Sequence, residues 1–184
     1  RTLCPGKYTT ATMLFQLFYG EAIASEKTRI EHRVFSEIMP LLKERAADFG
    51  VCIHEGRFTW EEQGLFLVED LGTRWELETG SPLPLGGILA RRDLEEETLA
   101  RIQSVIHSSV VYGIEHPDET LPTMRKSAQE FDDDVLMAHV DLYVNEWTVD
   151  LGAEGREALS VLSKKALEQR IIPPSHPGIE VYQP

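Results

Sequence analysis

The chain has 184 residues, which is long enough for one domain or two small lobes with a real hydrophobic core. Hydrophobic residues make up 42% and charged residues 27%, an ordinary balance for a globular protein. The 18 Lys and Arg residues against 31 Asp and Glu give a net charge of −13 without a local basic cluster, which argues against a nucleic-acid partner.

Cysteine content and hydropathy narrow the class of protein further. Cys4 and Cys52 are the only cysteines, which excludes a disulfide framework or a Cys-rich zinc site and favours a cytoplasmic location. The apolar runs are far shorter than the roughly 18 residues that a membrane-spanning helix needs, so no membrane segment is predicted.

Short apolar runs alternate with helix signals from Arg1 to about Asp93. Strands are predicted at 2–4, 32–35, 49–53, 65–68 and 88–90. Helices are predicted after a cap at Thr9 or Thr10, from a cap at Ser36 through Arg45, from a capping box at Thr59, and over 73–79 with Gly80 as the stop. This alternation predicts an α/β fold with a largely parallel sheet.

The second half of the chain carries helix signals and almost no strand signals. Amphipathic helices are predicted over 95–112, from Pro117 with Ala128 facing inward, after the acidic run 132–134 with Val135 and His139 on its apolar stripe, and over 152–170. Their apolar faces need a sheet to cover, and this chain does not supply enough of one. We therefore expect an amino-terminal piece or a partner chain to complete the fold.

The first candidate site is the segment Cys4-Pro-Gly-Lys-Tyr-Thr-Thr-Ala11, in which a strand leads through a glycine turn into a helix. The first N–H groups of a helix lack intrahelical acceptors and lie at the positive end of the helix dipole, so they can bind an anion or a carboxylate. The hydroxyls of Thr9 and Thr10 would add adaptable donors. The alternative is that one of these threonines only caps the helix, and the pattern alone favours the cap.

The second candidate is His54, which follows the buried strand predicted at 49–53 and precedes a turn that Gly56 makes sharp. An imidazole held by a rigid element can take up and return a proton near neutral pH, as a general base must. Alternatively, His54 binds a strand-end carbonyl or pairs with Glu55. No second histidine follows at helical spacing, so no metal site is predicted here. The other five histidines are scattered singly and are weaker candidates.

The third candidate segment joins Asp70-Leu-Gly-Thr-Arg-Trp75 to Glu78-Thr-Gly-Ser-Pro-Leu-Pro-Leu-Gly-Gly87. Two prolines and three glycines in the second stretch predict a stiff connection, which suits a hinge that returns the chain to another lobe. An ordinary surface loop is the alternative.

These segments, in this order, resemble the 1,4-dihydroxy-6-naphthoate synthases of the futalosine route of menaquinone biosynthesis. The resemblance lies in Pro-Gly-Lys-Tyr-Thr-Thr-Ala (5–11), Ile-His-Glu-Gly-Arg-Phe-Thr (53–59) and the stretch from Glu-Asp-Leu-Gly to Leu-Pro-Leu-Gly-Gly (69–87). It continues through Leu-Ala-Arg-Arg-Asp-Leu (89–94) and Tyr-Val-Asn-Glu-Trp-Thr (143–148), and so spans nearly the whole chain. The related chorismate dehydratases share the Asp-Leu-Gly and the Trp but usually lack the Leu-Pro-Leu-Gly ending.

The resemblance implies the two-lobed fold of type 2 periplasmic binding proteins, with a small-molecule substrate in the cleft. It implies a carbon–carbon lyase that cleaves cyclic dehypoxanthine futalosine to 1,4-dihydroxy-6-naphthoate and a sugar-derived fragment, without a metal or an organic cofactor. His54 matches the family's catalytic base, and Thr9, Thr10 and Ala11 match its substrate-contacting turn.

The sequence departs from the family in one large respect. Family members begin with a further strand-rich stretch of roughly 90 residues, the size of a small lobe, which has no counterpart here. The resemblance therefore implies that 1–82 form the second α/β lobe, 83–93 the hinge and crossover strand, and 94–184 a helical part that packs on an incomplete first lobe. An omitted N-terminal segment or a second chain would complete that lobe.

Three other functions stay open on the sequence alone. One is a solute-binding protein of the same fold, which binds a small acid without changing it. Another is the related chorismate dehydratase activity. The third is a structural or regulatory fragment that needs a partner chain. The expected ligand is a small molecule, and no nucleic-acid or membrane partner is expected.

Overall fold

A computed structural model of the chain describes residues 1–54, 56–127 and 132–183, with only the backbone of Val135 and His139. In chain order, the elements of these residues are β1 (Thr2–Cys4), α1 (Thr10–Ala24), β2 (Ile30–His32), α2 (Phe35–Lys43), β3 (Phe49–Gly50), α3 (Gly56–Thr59), α4 (Leu71–Thr79), α5 (Glu96–Glu115), α6 (Pro117–Ser127), α7 (Asp133–Tyr143), α8 (Glu146–Val149) and α9 (Gly152–Glu168). The α/β class predicted from the sequence is confirmed.

The strands form a parallel sheet in the order β2–β1–β3. In the register of this sheet, Thr2 of the central strand β1 lies opposite Ile30 of β2 and Phe49 of β3. A hydrogen bond of 2.8 Å from the Val51 amide to the Leu3 carbonyl extends the β1–β3 ladder. The connection that follows β1 places β2 on one side of β1. The connection that follows β2 crosses back and places β3 on the other side of β1. The boundary between β1 and β3 is therefore a topological switch point.

Helices cover both faces of the sheet. Successive residues of a strand point to opposite faces, so each strand has side chains to bury on both sides. On one face, Cys4 and Val51 form a buried cluster with Phe15 of α1. On the other face, α2 packs over β1 and β3. A Cβ atom on Gly50 would lie 2.5 Å from Cγ2 of Ile38, so the absence of a side chain at Gly50 allows α2 to approach β3.

The chain divides into two compact units. The first contains Arg1–Pro84 and Glu157–Ile179, and so holds the sheet, α1 to α4 and most of α9. The second contains Leu85–Arg156 and Glu180–Pro184, and within it α5 packs against α6 and α8. The roles of lobe, hinge and packing part that the resemblance implies for the three ranges of the chain stay predictions.

The long predicted helices are confirmed. The signals at 95–112, at Pro117, after the acidic run and at 152–170 correspond to α5, α6, α7 and α9. The inward position expected for Ala128 lies outside the described residues, as do the side chains of Val135 and His139.

Two predicted helix caps, at Ser36 and at Thr59, are wrong. α2 begins at Phe35 rather than after Ser36, and its N-cap residue, Val34, makes no side-chain capping hydrogen bond. The short helix α3 ends at Thr59, where a helix was predicted to begin. It starts earlier because the turn after β3 already bends the chain into helical hydrogen bonds, from the Gly56 amide to the Ile53 carbonyl at 3.2 Å.

The runs at 65–68 and 88–90, predicted as strands, are not strands in the described part of the chain. Phe66 keeps 94% of its surface exposed and Leu89 keeps 91%. A strand needs a neighbouring strand for its backbone hydrogen bonds, and the sheet of the described residues ends at β2 and β3.

Candidate active site

The glycine turn after β1 leads into α1, as predicted. Gly6 has a φ of 84°, in the left-handed region that glycine adopts without strain. Thr9 is the N-cap residue of α1, and its Oγ accepts a hydrogen bond of 3.2 Å from the Thr12 amide. The Thr12 hydroxyl donates to the Gly6 carbonyl at 2.7 Å and ties the turn to the helix. The capping role that the pattern favoured for Thr9 is therefore confirmed.

The other two residues of the predicted substrate-contacting turn open α1 at the same edge of the sheet. Thr10 is the first residue of the helix and is half-buried. Ala11 packs against the buried cluster that contains Cys4 and Phe15. Since the Ala11 methyl group contacts the core, its contribution to a ligand at this edge would come from its backbone amide.

His54 lies four residues beyond the end of β3, in a left-handed conformation with a φ of 56°. This conformation costs a residue other than glycine on the order of 1–2 kcal/mol, so the surroundings must hold it. The exposed imidazole contacts the ring of Phe35, with ring centroids 4.7 Å apart and an interplanar angle of 59°.

Sheet topology leads both segments out of the same edge of the sheet. Because β1 and β3 are parallel neighbours, the Pro5–Thr9 turn and the segment 51–54 leave the carboxyl edge of the sheet side by side. Phe35, which contacts His54, follows β2 at this edge. Ligands of open α/β sheets bind outside the carboxyl ends of the strands at a switch point, so this edge is the candidate site.

A depression of about 520 Å³ lies at this edge, lined by Pro5, Gly6, Glu37 and residues 32–35. The predicted site residues His54, Thr9, Thr10 and Ala11 are not among the residues that line it. His32 ends β2 and Arg33 follows it. His32 is one of the five histidines that the sequence makes weaker candidates, and Arg33 is not among the predicted site residues. The signal that could have found them is their position directly after a strand, the same signal that selected His54.

The third predicted segment begins as the N-terminus of α4. Asp70 is the N-cap residue, and its Oδ1 accepts a hydrogen bond of 2.9 Å from the Thr73 amide. Trp75 is fully buried, and its indole N–H donates to the Pro82 carbonyl at 3.2 Å. The helix ends at Gly80 as predicted, with a φ of 65°. The hinge role of the following stretch stays a prediction.

Both thiols near the site are held in their neutral form. Burial raises the pKa of Cys4 to about 11, against a smaller lowering by a hydrogen bond with Thr12. Burial also raises the pKa of Cys52. Neither cysteine is therefore a thiolate nucleophile at neutral pH.

Among the described residues, no group of three or more His, Cys, Asp or Glu side chains is arranged to hold a metal ion. No helix in the same part of the chain is long and apolar enough to cross a membrane.

A parallel sheet with helices on both faces defines an open α/β protein. Residues 1–168 match the model of the menaquinone biosynthesis family, and the chain belongs to that family.

Two curated relatives are named 1,4-dihydroxy-6-naphthoate synthase. The protein from Thermus thermophilus is 41% identical over 95% of this chain and 62% of its own length. The protein from Streptomyces coelicolor is 37% identical over 92% of this chain and 60% of its own length. The chain therefore spans about three fifths of the length of these relatives. The family resemblance stated from the sequence is confirmed.

A solved structure shares the fold. The crystal structure of protein AF1704 from Archaeoglobus fulgidus matches 94% of this chain and 63% of its own chain, with a TM-score of 0.84 and 31% sequence identity.

Proposed function

We propose that this protein is a carbon–carbon lyase that converts cyclic dehypoxanthine futalosine to 1,4-dihydroxy-6-naphthoate in menaquinone biosynthesis. Membership of the menaquinone biosynthesis family supports this proposal, as do the printed names of the two curated relatives. The ending Leu-Pro-Leu-Gly at 83–86 favours this reaction over that of the chorismate dehydratases.

His54 is the general base in this proposal. The observation that supports it is the adjacency of β1 and β3, because the segments that follow these two strands carry the N-terminus of α1 and His54. The imidazole takes a proton from the substrate, and the electron pair left behind drives the rupture of a carbon–carbon bond. The protonated imidazole then returns the proton to the departing fragment.

The N-terminus of α1 binds the substrate in this proposal, through Thr9, Thr10 and Ala11. Because the Thr9 hydroxyl caps the helix, we assign the contacts chiefly to backbone N–H groups at the first turn. The positive end of the helix dipole favours a substrate carboxylate or a hydroxyl that gains negative charge as the bond breaks. The reaction needs no metal or organic cofactor in this scheme.

We also propose the two-lobed architecture of type 2 periplasmic binding proteins, completed by a segment that the relatives contain beyond the region they share with this chain. The exposed apolar side chains of Phe66 and Leu89 support this, because strand-like runs without a neighbouring strand leave backbone groups to be paired. Hydrogen exchange tests it in protein made from the full coding sequence. Slow exchange of the amides at 66–68 is expected, and fast exchange would contradict the proposal.

A cytoplasmic location is part of the same proposal. The free thiols of Cys4 and Cys52 support it, since a reducing compartment keeps cysteines unpaired.

The decisive experiment compares His54→Gln with the wild-type protein, both made from the full coding sequence. Removal of a general base is expected to lower turnover by at least about 100-fold. The matched control is His107→Gln, which replaces an exposed histidine on α5. Mass spectrometry of the incubated substrate measures formation of the dihydroxynaphthoate.

Each outcome of this experiment decides something. Turnover by the wild type and the control, with loss in His54→Gln, supports the proposed lyase and its base. Turnover that His54→Gln retains removes His54 from the mechanism. Substrate that binds to the wild type and is recovered unchanged would instead identify a solute-binding protein.

A further inference from the structure

We propose that the ion pair between Arg57 and Asp70 is a positioning device for the catalytic base. Arg57 lies on α3, directly after the His54 turn, and Asp70 begins α4. Neither residue is assigned contact with the substrate, so both act through the placement of His54. The inference rests on the proposed role of His54 and adds two positioning residues to it.

The His54 turn needs such support because its conformation is unfavourable. His54 is a non-glycine residue with a φ of 56°, and a free turn would leave the left-handed region for a lower-energy conformation. Its backbone is closed by the hydrogen bond from the Arg57 amide to the His54 carbonyl, at 3.1 Å. The position of Arg57 therefore sets the position of the turn.

The Asp70 carboxylate ties Arg57 to the next helix through its two oxygens. Oδ2 accepts from Nε of Arg57 at 2.9 Å and lies 2.9 Å from its Nη2. Oδ1 accepts from the Thr73 amide at the N-terminus of α4. One side chain thus joins the two sequence segments that stood out as candidate sites, His-Glu-Gly-Arg and Asp-Leu-Gly-Thr.

Buried side chains hold α4 in place. Trp75 is fully buried, and Leu71 packs against the buried cluster beside β1. Gly72 leaves the space that the carboxylate and the guanidinium occupy. A Cβ atom there would lie 3.1 Å from Oδ1 of Asp70 and 3.7 Å from Nη2 of Arg57.

A purely stabilising role predicts a different result from a positioning role. The two side chains are 37% and 27% exposed, and ion pairs this close to solvent contribute little to folding stability. Loss of the pair is therefore expected to leave folding nearly unchanged. A large effect on catalysis without a change in folding is the signature of positioning.

The test uses Asp70→Asn in protein made from the full coding sequence. Asparagine is as good an N-cap as aspartate, so α4 keeps its cap while the ion pair is lost. We expect kcat to fall about 10- to 100-fold, because small displacements of a reacting group are costly, with KM changed less than about twofold. Arg57→Lys is expected to retain more kcat than Arg57→Gln, since it keeps the charge.

Two further variants make the test specific. Arg125→Gln breaks an exposed ion pair with Asp133 in the helical unit and is expected to leave kcat unchanged. Gly72→Ala keeps both charges but crowds the carboxylate, and is expected to lower kcat in the same direction as Asp70→Asn.

A second measurement does not depend on turnover. We expect the ring of Phe35 to shift the NMR resonances of the His54 imidazole protons, since the ring centroids are 4.7 Å apart. Asp70→Asn is expected to move these resonances toward their values in an unfolded peptide, and Arg125→Gln is not. The measurement therefore tests the inference even if the wild-type protein shows no turnover, which would contradict only the proposed function.

Unmoved His54 resonances in Asp70→Asn would overturn the inference, whether or not kcat falls. So would a fall in thermal stability large enough to account for the lost activity, if Gly72→Ala and Arg57→Gln show it too.

Discussion

The absence of a side chain at Gly50 allows α2 to lie close to the sheet. Gly50 of β3 faces Ile38 and Leu42, and an added Cβ would lie 2.5 Å and 2.7 Å from their side-chain carbons. Overpacking of this kind costs about 1–3 kcal/mol, so we expect Gly50→Ala to lower the free energy of unfolding by that amount in urea denaturation. Gly86→Ala is the control, because no atom lies within 4 Å of the added group. An unchanged urea midpoint for Gly50→Ala would contradict the packing described here.

Burial of a single thiol predicts a pH dependence of stability. The pKa of Cys4 is raised from its ordinary value of 9.0 to about 11 in the folded protein. Above pH 9 the unfolded chain releases the thiol proton while the folded chain keeps it, so the unfolded state binds fewer protons and stability falls with pH.

This loss of stability occurs over a limited range of pH. The contribution is complete below pH 9 and is lost as the pH rises through 11, by about 3 kcal/mol in total. Urea denaturation at a series of pH values measures this loss of stability. Cys4→Ala is the reference, because it keeps all the other titratable groups. A constant difference between the two proteins from pH 8 to 11 would show that the thiol ionises equally in both states.

At the scale of elements, Thr9 joins a structural role to a proposed functional one. Its hydroxyl caps α1, and replacement of a capping threonine by alanine costs about 1 kcal/mol. Thr9→Asn restores a cap but changes the group at the substrate-binding edge. We expect Thr9→Ala to lose stability and Thr9→Asn to keep it, as measured by thermal unfolding, while both raise the KM for the substrate. An unaltered KM in Thr9→Asn would show that Thr9 caps the helix and does not contribute to substrate binding.

Elements with local signals were predictable from the sequence. The Gly6 turn, the α1 cap at Thr9 and the left-handed stop of α4 at Gly80 each depend on residues within a few positions of one another. The periodic apolar faces of α5 and α9 are signals of the same kind.

Elements set by distant contacts were not predictable. The left-handed φ of His54 carries no glycine signal, and its support includes Asp70, which lies 16 residues along the chain. The apolar run at 65–68 has the composition of a strand, but composition cannot supply the neighbouring strand that hydrogen bonding requires. The place of His32 and Arg33 in the same depression as Pro5 and Gly6 follows from the pairing of β2 with β1, which a single sequence does not reveal.

At the scale of the whole molecule, each unit leaves apolar side chains in water. Phe66 and Val68 in the first unit are exposed, as are Ile88 and Leu89 in the second. No charged side chain interrupts these two apolar runs, because residues 65–68 and 86–90 contain no ionisable residue. Exposed apolar runs of high strand propensity promote self-association.

The 184-residue chain is therefore expected to gain solubility from charges at these runs without losing stability. Phe66→Glu and Leu89→Glu replace side chains that make almost no buried contact, so we expect each to change the free energy of unfolding by less than about 0.5 kcal/mol. Light scattering should show less self-association of the double variant. Leu14→Glu is the matched control, since Leu14 is only 3% exposed and burial of a charge there should unfold the chain. A loss of more than about 1 kcal/mol in Phe66→Glu would mean that this side chain is covered in solution, because a solvated phenylalanine has no packing to lose.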